Sequence, residues 1–95
     1  MKVFINGNDI KTEIDFHKHI AQALNFPYYY GSNLDALWDV LSTDMERPTT
    51  LVWKNAMLSQ DAMGEEFIRI HDLLNKVVAQ DIEWGLDERF ELIID

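Results

Sequence analysis

The sequence contains no cysteine. A disulfide framework, a thiolate nucleophile and a zinc–thiolate centre are therefore all excluded, and a reducing compartment fits. Proline and glycine are sparse, two and four residues of 95, and no Pro/Gly-rich linker, repeat or low-complexity tract divides the chain. Cations are scarce too: eight Lys and Arg stand against 17 Asp and Glu, a formal net charge of −9 at pH 7. Neutralising phosphates requires clustered Lys and Arg, so this balance argues against binding nucleic acid and against an anionic membrane surface. A basic partner suits it better. No apolar run approaches the ~18 residues of a membrane span. The opening Met1 to Gly7 reaches Asn6 after three apolar residues, too few for a signal-peptide core. A cytoplasmic protein, monomeric when free, is the expectation.

What is present is a folding composition. Apolar residues make up 47% and aromatic residues 12%, enough to expect one folded domain over residues 1–95 rather than disorder. Val3, Phe4 and Ile5 form a β-prone run stopped by the turn signal Asn6-Gly7-Asn8-Asp9. Thr12 can cap a helix whose first turn carries Glu13 and Asp15, a weak capping box. Phe16, Ile20, Ala23 and Leu24 then recur at helical spacing, and Pro27 is the expected terminator. After the aromatic loop Tyr28-Tyr29-Tyr30-Gly31, Ser32 or Asn33 can cap a second helix, whose Leu34, Leu37, Trp38 and Leu41 follow the i, i+3, i+4, i+7 pattern. Thr49 to Lys54 reads as the second strand. Met63, Phe67, Ile70, Leu74, Val77 and Val78 mark a long third helix, and the segment from Lys54 to Gly64 leaves room for a short extra one. Phe90, Leu92, Ile93 and Ile94 make the last strand. The order β-α-α-β-α-β predicts a small α/β fold, a three-stranded parallel sheet packed by helices, because parallel strands need long crossovers.

The second helix holds the most information. At 100° per residue Asp35, Asp39 and Ser42 share one face, with Leu34, Leu37 and Leu41 opposite and Trp38 at the border. From Tyr28 to Glu46 there are four acids (Asp35, Asp39, Asp44, Glu46) and no base. Asp35 and Asp39 are a like-charge i,i+4 pair, and Asp39 and Asp44 lie toward the negative end of the helix dipole. A solvated face has no reason to keep such an arrangement beside aromatic side chains; a surface for a cationic partner does. Catalytic readings fare worse. Glycosidase carboxylates face a sugar from opposite walls, not from one helix face. His17 and His19, two apart, cannot form a metal pair, and His71 beside Phe67, Ile70 and Leu74 reads as a packed, hydrogen-bonded histidine. There is no Gly-containing calcium loop, phosphate loop or nucleophile elbow. No catalytic residue, cofactor or metal is expected, although a small hydrolase using Asp35 and Asp39 stays a formal alternative.

The run Tyr29-Tyr30-Gly31-Ser32-Asn33-Leu34-Asp35-Ala36-Leu37-Trp38-Asp39-Val40-Leu41 resembles the signature of the barstar family of ribonuclease inhibitors. The likeness continues through Ile5-Asn6-Gly7, Pro27, Pro48 and Leu51-Val52-Trp53, covering the first half of the chain well and the remainder in pattern. The resemblance implies an inhibitor that plugs the basic active site of a barnase-type ribonuclease with its acidic helix and preceding loop. Asp39 would occupy the phosphate-binding centre, Asp35 a second charged contact, and Tyr29 the side of the catalytic histidine. Gly31, Asn33 and Trp38 would support them. The partner-binding set expected here is Tyr29, Gly31, Asn33, Asp35, Trp38, Asp39, Ser42, Asp44 and Glu46. Three features depart from the family. Ser42-Thr43-Asp44-Met45-Glu46 carries an acid where the family has an aromatic, the family's later-helix glutamate falls near Leu73, and the cysteines are missing. An acidic binding partner or immunity protein for a different basic toxin or nucleic-acid enzyme is the alternative.

If Asp39 is kept for binding, the free protein is less stable than it could be. Asp39→Ala removes a like-charge neighbour and installs the best helix former, so it should stabilise the free protein by about 0.5–1 kcal/mol. Urea unfolding at neutral pH measures this, and the gain should shrink in high salt. A loss of stability would mean that the carboxylate holds a structural contact.

Overall fold

Three strands, β1 (Lys2–Asn6), β2 (Thr49–Lys54) and β3 (Phe90–Ile94), lie parallel in the order β1-β2-β3 in a computed structural model that describes residues 1–95. Register explains which side is buried. Val3 pairs with Leu51 and Leu51 with Leu92; Ile5 pairs with Trp53 and Trp53 with Ile94. Strand alternation sends these rows to one face, where Ile5, Leu51 and Trp53 join the core. The intervening row Phe4, Val52 and Ile93 points the other way and leaves Phe4 and Ile93 exposed. Trp53 is fully buried, stacked on Phe16 at 5.1 Å and tilted against Phe67 at 5.0 Å, which places it in the core as its strand position predicts.

The first crossover holds a 3₁₀ turn (Gly7–Asp9), α1 (Glu13–Ala23), α2 (Leu34–Asp39) and a π-helical turn (Val40–Asp44). Gly7 permits a close approach, because a Cβ there would meet the Asn55 carbonyl oxygen at 2.0 Å. The Asp15 N–H donates to Thr12 Oγ1, and the Asp15 carboxylate accepts from the Lys11 N–H, both at 3.1 Å. The reciprocal cap is thus displaced by one residue, and the Lys11 N–H holds the Asp15 carboxyl below its ordinary value. Helix α1 ends before Pro27 can act. Leu24 caps it and Asn25 turns to φ 54°, so a left-handed C-terminal residue stops the helix, not the proline.

The second crossover holds two helices, α3 (Ala56–Met63) and α4 (Glu65–Glu83). The short extra helix for which the sequence leaves room is α3, and Met63 closes it instead of opening the long helix. Gly64 makes the break, with φ 60° and ψ −119°, a conformation that a side chain would strain. Phe67, Ile70, Leu74 and Val77 form the buried stripe of α4. His71 rests on Phe67 with ring centroids 5.6 Å apart, packed as expected but without the expected hydrogen bond.

Asp81, fully buried near the end of α4, receives Arg47 through two hydrogen bonds, Nε to Oδ2 at 2.7 Å and Nη2 to Oδ1 at 2.9 Å. Arg47 also donates to the carbonyls of Leu41 (2.9 Å) and Met45 (3.1 Å), and the first N–H of β3, Phe90, donates to Asp81 Oδ2 at 2.8 Å. Burial alone would raise the Asp81 carboxyl. The Arg47 hydrogen bonds, the Phe90 N–H and the Arg47 and Arg89 charges outweigh it, and the carboxyl sits below its ordinary value.

Removing one partner of such a pair strands a buried charge, so Asp81→Ala should cost about 3–5 kcal/mol in urea unfolding. Because the folded value is depressed, the Asp81 contribution is present above the unfolded carboxylate value near 3.9 and lost as pH falls through the folded one. Wild-type stability should therefore drop below about pH 4 more steeply than that of Asp81→Asn.

Candidate functional site

The three consecutive tyrosines diverge. Tyr28 and Tyr29 are 99% and 73% exposed and meet edge to face at 5.5 Å. Tyr30 turns inward, packing on Phe26 at 4.9 Å, with its hydroxyl 2.6 Å from Nδ1 of buried His17. Nε2 of that ring lies 3.1 Å from Glu13 Oε2. An ionised carboxylate only accepts, so Nε2 donates to Glu13, and in the neutral imidazole Nδ1 is then the acceptor for the Tyr30 O–H. Burial, and then the Glu13 charge, push the Tyr30 phenol well above its usual value, and it stays protonated as this donor role requires. This buried chain anchors the loop that displays Tyr29.

Asn33, not Ser32, caps α2: its Oδ1 accepts from the Ala36 N–H at 2.8 Å, while its Nδ2 donates weakly to the Gly31 carbonyl at 3.4 Å. The side chain of Asn33 is thus committed within its own loop. Leu37 and Leu41 are fully buried, Trp38 is half-buried, and Asp35 and Asp39 are exposed. Neither carboxylate has an ion pair within the chain. Leu34 departs from the expected pattern. It lies on the acidic side, because it sits one turn before Trp38 and shares that residue's border position.

Past Asp39 the helix widens. Met45 N–H reaches back to the Val40 carbonyl (2.9 Å), Ser42 Oγ donates to the Trp38 carbonyl (2.6 Å), and Thr43 Oγ1 donates to the Asp39 carbonyl. Such hydroxyl back-bonds bend helices, and π turns interrupt their regular repeat. Ser42 is half-buried and its proton is spent on this bond.

The expected site residues fall into separate places. Asp35, Trp38 and Asp39, with Leu34, line one wall of a groove of about 710 Å³; Arg69, Asp72, Leu73 and Lys76 of α4 line the other. Asp44 and Glu46 edge a different depression of about 340 Å³ floored by Met1, Leu24, Phe26, Pro27, Val40 and Met45. The bend after Asp39 separates the two acidic groups. Leu73 does face the groove, but its neighbours Arg69, Asp72 and Lys76 were missed in the sequence. Their i, i+3, i+7 spacing would have placed them together on α4, and nothing local says that this face meets α2. No cluster of His, Asp and Glu is arranged to hold a metal ion, and no helix is long and apolar enough to cross a membrane.

A family model described as "Barstar (barnase inhibitor)" matches residues 1–94, and the chain belongs to the barstar family. A relative from Bacillus subtilis (strain 168), named "Putative ribonuclease inhibitor YrdF", is 37% identical over 94 residues, spanning 99% of this chain and 98% of that protein.

Tyr30→Phe should leave the buried His17 nitrogen unpaired and cost about 1–3 kcal/mol in urea unfolding. Faster amide hydrogen exchange across residues 28–33 should accompany the loss. Unchanged stability and exchange would show that this hydrogen bond does not anchor the loop.

Proposed function

We propose that this protein inhibits a basic, barnase-type ribonuclease by inserting α2 and the Tyr29 loop into the enzyme's active-site cleft, without catalysis of its own. One observation carries the reading: Asp35 and Asp39, one turn apart, are exposed and unpaired beside half-buried Trp38, on the helix that follows the loop of exposed Tyr29. A carboxylate placed in a phosphate site satisfies several cationic donors at once through charge-assisted hydrogen bonds. Asp39 is the anchor and Asp35 the second charge. Tyr29 supplies rigid contact area, and Trp38 offers its exposed edge. Gly31 and Asn33 shape the loop, and Ser42 holds the bend. Asp44 and Glu46 extend the negative field toward the rim. Family membership and the name of the Bacillus subtilis relative support the same role. The net charge of −9 adds long-range attraction to a basic enzyme.

The direct test is titration of a purified barnase-type ribonuclease with this protein at nanomolar concentration. Asp39→Ala should weaken the complex by at least ~2 kcal/mol, and by more than Glu46→Ala, because it strands the enzyme's cations in a dry pocket. An equal or smaller loss than for Glu46→Ala would remove Asp39 as the anchor. Raising salt toward physiological strength should slow association markedly and change dissociation little, since screening acts beyond the ~8–10 Å Debye length. A salt-independent association rate would reduce the net charge to a solubility device.

A further inference from the structure

We propose that Arg69 and Lys76 act as a selectivity filter, so that the preferred nuclease carries an acidic group on the rim of its basic cleft. This rests on the inhibitor reading and asks which nucleases are accepted. The groove is bipolar. Its α2 wall bears Asp35 and Asp39, and its α4 wall bears Arg69 and Lys76 on either side of Asp72 and Leu73. The two cations are two helical turns apart, about 10 Å along the helix axis, and both line the groove.

Neither cation is neutralised by the opposite wall, since no ion pair within 4.0 Å joins α2 to α4. Arg69 has only Glu65 at 3.8 Å, between side chains 54% and 90% exposed, a contact worth little in water. Lys76 has no ion pair. Among the α4 residues that line the groove, Asp72 offsets one of the two positive charges and one remains; Glu65 lies outside that lining.

A ridge of protein entering this groove must satisfy both walls. A uniformly basic rim would pair with Asp35 and Asp39 but would bring like charges against Arg69 and Lys76, and such juxtapositions reject partners. A rim with a carboxylate turned toward α4 meets both. Leu73, apolar and midway along that wall, adds no charge to help a basic rim.

The test uses a barnase-type ribonuclease whose cleft rim carries only Lys and Arg. Inhibition is compared for the wild type, Arg69→Gln/Lys76→Gln, Asp39→Ala, and the control Lys2→Gln/Lys54→Gln. The control makes the same change in net charge on the open face of the sheet, where both amines lie 6.0 Å from the Phe4 ring. The groove variant should bind at least about tenfold more tightly than the wild type and clearly more tightly than the control. Urea midpoints should confirm that all variants fold. Affinity equal to that of the control, or weaker than wild type, would overturn the filter. If Asp39→Ala still abolishes inhibition in that case, the inhibitor reading stands alone. If neither the wild type nor the groove variant inhibits, the inhibitor reading falls and the filter falls with it.

Discussion

The ion pair of Arg47 with buried Asp81 ties together three segments that lie far apart along the chain. Asp81 accepts from Arg47 and from the first N–H of β3, while Arg47 donates to one carbonyl within the π-helical turn and one just after it. One guanidinium and one carboxylate thus join the end of the acidic segment, the end of α4 and the start of the last strand. Net stabilisation from a buried ion pair is often small, because desolvation offsets the attraction. Its geometry is the stronger contribution. Five directional hydrogen bonds leave little freedom in where the acidic helix ends relative to the sheet.

That fixed end allows α2 to carry charges that oppose its own stability. Six residues of regular helix, a like-charge pair and an acid near the negative end of the dipole would not hold in isolation. Leu37 and Leu41 buried beneath, the Asn33 cap at one end and the Arg47 clamp after the other supply what the exposed face gives up. The back-bonds of Ser42 and Thr43 belong to the same economy. They satisfy carbonyls that the π turn releases and bend the chain, so that Asp35 and Asp39 face α4 while Asp44 and Glu46 face Met1, just before β1, and the loop at Pro27.

The Glu13–His17–Tyr30 chain does for the aromatic loop what Arg47 does for the helix end. A loop of three tyrosines could bury any of them. Fixing Tyr30 by hydrogen bond and ring packing leaves Tyr28 and Tyr29 outside, which turns apolar area that would otherwise join the core into contact surface. Both devices place a polar group in the interior to position an exposed one.

By itself the sequence determined what depends on neighbours within a turn or two. The span of β2, the Thr12 cap, the amphipathic stripes of α1 and α4 and the crowding of acids on α2 all follow from local spacing and capping chemistry. The thirteen-residue run from Tyr29 to Leu41 carried the family as well. Tertiary structure decided the rest. It stopped α1 at Asn25 through a left-handed residue, chose Asn33 over Ser32 as the cap, and turned one tyrosine of three inward. It also paired Arg47 with Asp81 and set Arg69, Asp72 and Lys76 across from Asp35 and Asp39. Periodicity reports which face of a helix is buried but not which element buries it. A charge pair 34 residues apart, or a groove between two helices, exists only once packing has brought distant segments together.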